Sequence, residues 1–201
     1  MIITQSQYRI SLINSFECLS KDFLKLCEYI DPIDANKNCF SLRTFELLLR
    51  TCTEIENLWS IILRDKGHSG KNWNINEYYK IESDYGLNLS SKEVTFVYWK
   101  PDSSQSYIKP FENWTTDVQN SPRLNWYKAY NNVKHDRELN FPEASLNNVR
   151  YALSALYVNL VEYFSYDIFT PSLHADPDRH DKFRLSSIAY RDHVFQIKQG
   201  S

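Results

Sequence analysis

Glycine and any surplus of one charge are what this sequence is short of, and each shortage closes off a class of protein. With 4 Gly in 201 residues, a loop-rich or glycine-repeat scaffold is excluded. In place of glycine stand 14 Tyr, 11 Phe and 5 Trp, a composition that suits long regular elements with aromatic packing. A formal net charge of -2 gives no global attraction to nucleic acid, so any contact with RNA or DNA needs a local basic patch. No segment approaches the roughly 18 uninterrupted apolar residues of a membrane span. The opening MIITQSQYRI lacks the basic region and apolar run of a signal peptide. A cytoplasmic protein without a membrane partner is the expectation.

Chemical motifs are scarce as well. The four cysteines, Cys18, Cys27, Cys39 and Cys52, show no CxxC or Cys/His metal spacing and read as free thiols. GKNWN, beginning at Gly70, lacks the Walker pattern and a preceding strand. No Ser-centred nucleophile motif occurs. No cofactor or metal is expected. A cluster of metal-ligand types at His174, Asp176, Asp178, His180 and Asp181 sits in irregular, proline-containing chain. It reads as a polar loop, with a metal hydrolase as a minor alternative.

What is present is helical periodicity. Tyr8, Leu12, Phe16, Leu19, Phe23, Leu26 and Ile30 form one stripe that Asp31-Pro32 stops. Ser41 reads as the N-cap of a second helix over about 42–64, with Phe40 and Phe45 spaced as a hydrophobic staple. Phe45, Leu48, Leu49, Cys52, Ile55, Trp59 and Leu63 make its core face, while Arg50 and Glu54 read as a surface ion pair. Ser121-Pro122 opens a third helix that ends near Arg137–Asn140. Pro142 opens a fourth, striped by Leu146, Val149, Leu153, Leu156, Leu160 and Phe164. Between the second and third, VTFVYW at Val94–Trp99 is a strand candidate that pairs back on Ser106–Phe111 as a hairpin. Its aromatics, Tyr98, Trp99, Tyr107, Phe111 and Trp114, read as core cover. The expected architecture is an all-α, up-and-down four-helix bundle in a single domain over 1–201. It carries a small β-hairpin insertion at about 66–120 and a C-terminal extension at about 170–201.

The functional signal lies in LNWYKAYNNVKHDRELNF, Leu124–Phe141. At about 100° per residue, Trp126, Ala129, Tyr130 and Val133 fall on one face with Arg137 behind them. Lys128, Asn131, Asn132 and His135 fall on the other. Imidazole can take and return a proton near neutral pH, and lysine, arginine or amide groups can hold a phosphate as charge builds on it. His135 with Lys128 and Arg137 therefore supplies the residue types of a metal-independent ribonuclease, with Asn131, Asn132 and Lys134 as substrate contacts. Glu56, on the apolar face of the second helix, needs a partner because an isolated buried charge is costly. Arg137 on the third helix is the expected one, as a structural ion pair, with Arg150 as the alternative.

A helical bundle whose third helix ends in NNVKHDR, followed by a long apolar fourth helix, resembles the HEPN domains (higher eukaryotes and prokaryotes nucleotide-binding). That family's signature is an arginine four to six residues before a histidine. Counting back from His135, those slots hold Tyr130, Ala129 and Lys128, and Lys128 alone carries positive charge, without the bidentate fork of arginine. The resemblance implies a homodimer with two motifs facing one cleft. It further implies metal-independent cleavage of single-stranded RNA, as a toxin-type effector of a defence or toxin–antitoxin system with an antitoxin or regulatory partner. The alternative it leaves open is a non-catalytic helical module for nucleotide, RNA or partner binding.

Overall fold

The computed structural model describes residues 5–70, 72–102, 107–112, 114, 124–165, 168 and 195–197. The chain is mostly helical with one small antiparallel sheet. Its long helices are α1 (Gln5–Cys27), α2 (Leu42–Asp65), α5 (Asn125–His135) and α7 (Leu146–Phe164). Shorter turns of helix are α3 (Ile75–Tyr78), α4 (Lys80–Ser83) and α6 (Arg137–Asn140), and the strands are β1 (Val94–Phe96) and β2 (Phe195–Ile197).

The stripes read from the sequence are the buried faces. Leu12, Phe16, Leu19, Phe23 and Leu26 bury α1, and Leu48, Cys52, Ile55, Trp59 and Leu63 bury α2. Ser41 caps α2 in a capping box: its hydroxyl accepts from Thr44 N at 3.2 Å, and Thr44 Oγ1 accepts from Ser41 N at 2.7 Å. Gly67, at φ 89°, takes the left-handed turn that ends this helix. Phe40 and Phe45, expected to staple across the cap, each pack on Phe141, with ring centroids 5.3 and 6.2 Å away.

At the centre α2 and α7 run side by side in the same direction. Leu146 N donates to Cys39 O at 2.8 Å at one end, Trp59 Nε1 donates to Asn159 Oδ1 at 3.0 Å in the middle, and the Tyr163 hydroxyl donates to Asp65 at the other. The small Ala152 and Ala155 of α7 are fully buried, allowing backbones to approach on more than one side. α1 runs against both partners, joined by Phe16 stacked on Tyr157 and Arg50 paired with Asp22. That second contact replaces the expected Arg50–Glu54 pair. α5 also runs antiparallel to α2, with Tyr127 and Tyr130 beside Glu56 and Arg137 beside Phe45.

Several boundaries differ from the sequence reading. α7 begins after Ser145, whose hydroxyl accepts from Asn148 N at 3.3 Å. Pro142 falls instead in a 3₁₀ turn, Phe141–Glu143. α5 begins at Asn125, and Ser121-Pro122 lies outside the described residues. The expected hairpin is reduced to one antiparallel bridge, Val94 to Ile108, with both hydrogen bonds at 2.8 Å. β1 pairs with β2 instead, in the register Val94↔Ile197, Thr95↔Gln196 and Phe96↔Phe195. Three residues of the segment read as a C-terminal extension, Phe195–Ile197, thus join the core and its sheet. Phe195 is buried against Phe16, Phe96 and Tyr157.

The 66–120 segment is equally integral where it is described. Phe111 and Trp114 stack 5.2 Å apart, and Trp114 stacks 5.1 Å from Trp59 of α2. Trp126 of α5 donates its indole N–H to Pro110 O at 2.8 Å. Trp99, Phe111 and Trp114 are core residues, as read from sequence, while Tyr98 stays exposed. Among the described residues no helix is long and apolar enough to cross a membrane.

Candidate functional site on α5 and α6

Trp126, Tyr127, Ala129, Tyr130 and Val133 seat α5 in the core. Lys128 and His135 project outward, both exposed, and their side chains make no hydrogen bond or ion pair to a described residue. Seven residues apart, they lie on one helix face about 10 Å from each other along the axis. Lys134 and His135 fall in the last turn, where cations oppose the negative end of the helix dipole.

The helix breaks at Asp136. This residue leaves helical geometry, at φ -146° and ψ 85°, and its carboxylate accepts from Leu139 N at 3.2 Å to cap α6. Asn140 completes the corner by donating to Asp136 O at 2.8 Å. Short Asp and Asn side chains compete with the helix ladder in this way. The break removes Arg137 from the back of α5, where an unbroken helix would have placed it.

The expected Glu56–Arg137 ion pair does not form. Arg137 Nη2 pairs with Glu138 at 2.8 Å, and its guanidinium sits 5.7 Å from the centroid of Phe45. Glu56 instead accepts from the hydroxyls of Tyr127 at 2.7 Å and Tyr130 at 3.2 Å. Two neutral donors satisfy a half-buried carboxylate without bringing a second charge out of water, which is the less costly arrangement. Burial, and then the bond to Glu56, pushes the Tyr127 hydroxyl far above the ordinary tyrosine range. Burial raises the Tyr130 hydroxyl as well, against the opposing bond from Lys134. Arg150, the alternative partner for Glu56, lies under Trp99, 4.2 Å from its centroid.

The other strip residues are largely committed inside the fold. Asn132 donates to both oxygens of Glu143, at 3.1 and 2.9 Å. Asn131 donates to Tyr127 O at 3.1 Å. Lys134 donates to the Tyr130 hydroxyl at 3.0 Å, a bond that raises its pKa, and it also lies over that ring at 4.9 Å. Among the described residues no side-chain hydrogen bond joins His135 to Lys128, Asn131, Asn132, Lys134 or Arg137.

α7 is buried along nearly its whole length. His68, without an expected partner, meets the Tyr85 hydroxyl. The 174–181 cluster and His193 lie outside the described residues. Sequence reasoning missed Tyr127 as the acid's partner. The signal available was its hydroxyl, on the same helix face as Trp126 and Tyr130. No protein-family model, curated protein or solved structure matches this chain.

Proposed function

We propose that this protein is a HEPN-like helical module, with α1, α2, α5 and α7 as an up-and-down four-helix bundle, that holds single-stranded RNA on the outer face of α5 and α6 without cutting it. The observation that carries the reading is the division of labour along Leu124–Phe141. Lys128 and His135 stand outward and uncommitted, while Asn132, Lys134 and Arg137 are tied to Glu143, Tyr130 and Glu138. Two exposed groups can contact an anionic backbone, whereas proton transfer at a reacting hydroxyl needs groups gathered around the base. Such a module acts in the cytoplasm, and an antitoxin-like or regulatory partner can share the same face.

One observation favours a second reading, the metal-independent endoribonuclease of a defence or toxin–antitoxin system. The break at Asp136 makes Arg137 the first residue of α6, half-exposed, and in a homodimer it would exchange its Glu138 pair to reach the His135 of a second copy. Incubating the protein with labelled single-stranded RNA in EDTA distinguishes the two. Retention without cleavage supports the binding module. Cleavage that His135→Ala abolishes supports the nuclease. Neither retention nor cleavage contradicts both.

A further inference from the structure

A second polar site lies away from His135, around the first turns of α7. A cleft of about 490 Å³ is lined by Lys37, Lys109, Glu112, Asn147, Arg150 and Tyr151, among others. A smaller hollow of about 180 Å³ shares Lys109, Glu112, Asn147 and Tyr151, and extends to Asn125 and Trp126 at the start of α5. Together they make one groove of the size that takes a metabolite, though its walls are more hydrophilic than those of a typical small-molecule pocket.

Arg150 is the unusual member. Only 4% of it is exposed, yet it lines the open cleft. Its surroundings hold it in place: the guanidinium lies 4.2 Å from the Trp99 centroid, and Trp99 Nε1 donates to Asp34 Oδ1 at 2.8 Å. The other Asp34 oxygen accepts from Asp102 N at 2.8 Å. That bond, then the one from Trp99, keeps the Asp34 carboxyl below its usual range. Burial still dominates at Arg150 and lowers its pKa to about 10. Because it lines the cleft, this guanidinium can offer a planar, charge-assisted donor to an anion that enters.

The rest of the groove limits what that anion can be. Lys37 is exposed at the rim, and Asn147 and Tyr151 offer amide and hydroxyl groups along the wall. Asp34, Glu93 and Glu112 also line the cleft, and Lys109 is engaged by Glu93 at 3.5 Å. So many carboxylates disfavour a polyanion such as a nucleic acid strand and leave room for one negative group on a hydrogen-bonding body.

We propose that this groove binds a small hydrophilic organic oxyanion, its charged end meeting Arg150 and Lys37 and its body hydrogen-bonding Asn147 and Tyr151. The oxyanion is a carboxylate or a phosphate monoester. The site is separate from the α5–α6 strip and does not depend on the RNA reading.

The test is calorimetric titration and thermal melting of the full chain with D-gluconate and with glycerol 3-phosphate, against sodium chloride at matched ionic strength. Saturable one-to-one binding of either probe is the expected result, and the probe that binds identifies the charged group. Lys37→Gln weakens it about tenfold, in line with the loss of a charge-assisted contact, and Arg150→Gln removes it. Since Arg150→Gln strips a buried charge and can impair folding, Asn147→Leu at the groove wall serves as the second variant and also weakens binding. A response to both probes no greater than that to sodium chloride overturns the proposal. Binding unchanged in both Lys37→Gln and Asn147→Leu overturns it equally.

Discussion

The hydroxyl of Tyr127 on α5 donates to the Glu56 carboxylate on α2 at 2.7 Å, so two helices are joined by a phenol held in its neutral form. Tyr127→Phe removes that donor and leaves one Glu56 oxygen to water or to Tyr130. The expected cost is about 1 kcal/mol, typical of a hydrogen bond in a partly wet setting. Urea denaturation of the two proteins measures it. Equal midpoints would show the bond to be incidental.

The same chemistry sets an alkaline limit. Tyr127, Tyr130, Tyr78 and Tyr151 are all pushed above the ordinary tyrosine range, burial being the first cause in each. Below about pH 10, the unfolded value for tyrosine, both states hold these protons, which then leave stability unaffected. Above it the unfolded chain releases them while the folded chain retains them, so stability falls as pH rises. Chemical denaturation from pH 8 to pH 12 should show a decline that begins with the raised Cys27 and Cys52 thiols, near the unfolded value of about 8.5, and steepens above about pH 10, less so in Tyr127→Phe. A rise across that window would contradict the assignment.

Asn159 is wholly buried, accepting from Trp59 Nε1 at 3.0 Å and donating to Ala155 O at 2.9 Å. Asn159→Leu leaves the indole N–H of Trp59 without an acceptor between α2 and α7. A loss of about 1–3 kcal/mol follows from the desolvation of that donor, readable as a drop in Tm. In a Trp59→Phe background the same substitution should cost less, since no indole N–H is left stranded.

The four thiols should separate by reactivity. Cys18 and Cys39 are exposed, whereas Cys27 is half-buried and Cys52 buried. Burial, with the Asp31 charge adding, pushes Cys27 up to about 12, and burial raises Cys52 well above its usual value. Thiolate being the reactive form, Ellman's reagent at pH 8 should titrate two thiols quickly, Cys27 slowly and Cys52 only on unfolding. Four equal rates would mean that α1 and α2 are not packed as described.

Much of the helical frame was legible because burial leaves a periodic trace. The stripes of α1, α2 and α7 and the Ser41 cap needed only spacing and residue type. Pairing across the chain leaves no such trace. Val94–Phe96 has the composition of a strand, but nothing local tells it to choose Phe195–Ile197 over the nearby Ile108. Glu56 illustrates a subtler gap. Its position on an apolar face correctly demanded a partner, and the charge on Arg137 suggested a cation. Tyr130 reads as part of the apolar face and Tyr127 carries no assignment, though each brings a hydroxyl to the interior. Asp136 also held a signal, since an aspartate followed by a helical turn is an N-cap. Reading it as one would have taken Arg137 off the buried face.

The exposed strip of α5 is tested most directly by fluorescence anisotropy of labelled single-stranded RNA, in EDTA, with the wild-type chain and Lys128→Gln/His135→Gln. The account predicts salt-dependent binding by the wild type with the RNA intact. The double variant should bind more weakly, with its salt slope reduced by about 0.7 for each phosphate contact removed. Undiminished binding by the double variant, or none by the wild type at low salt, would contradict it.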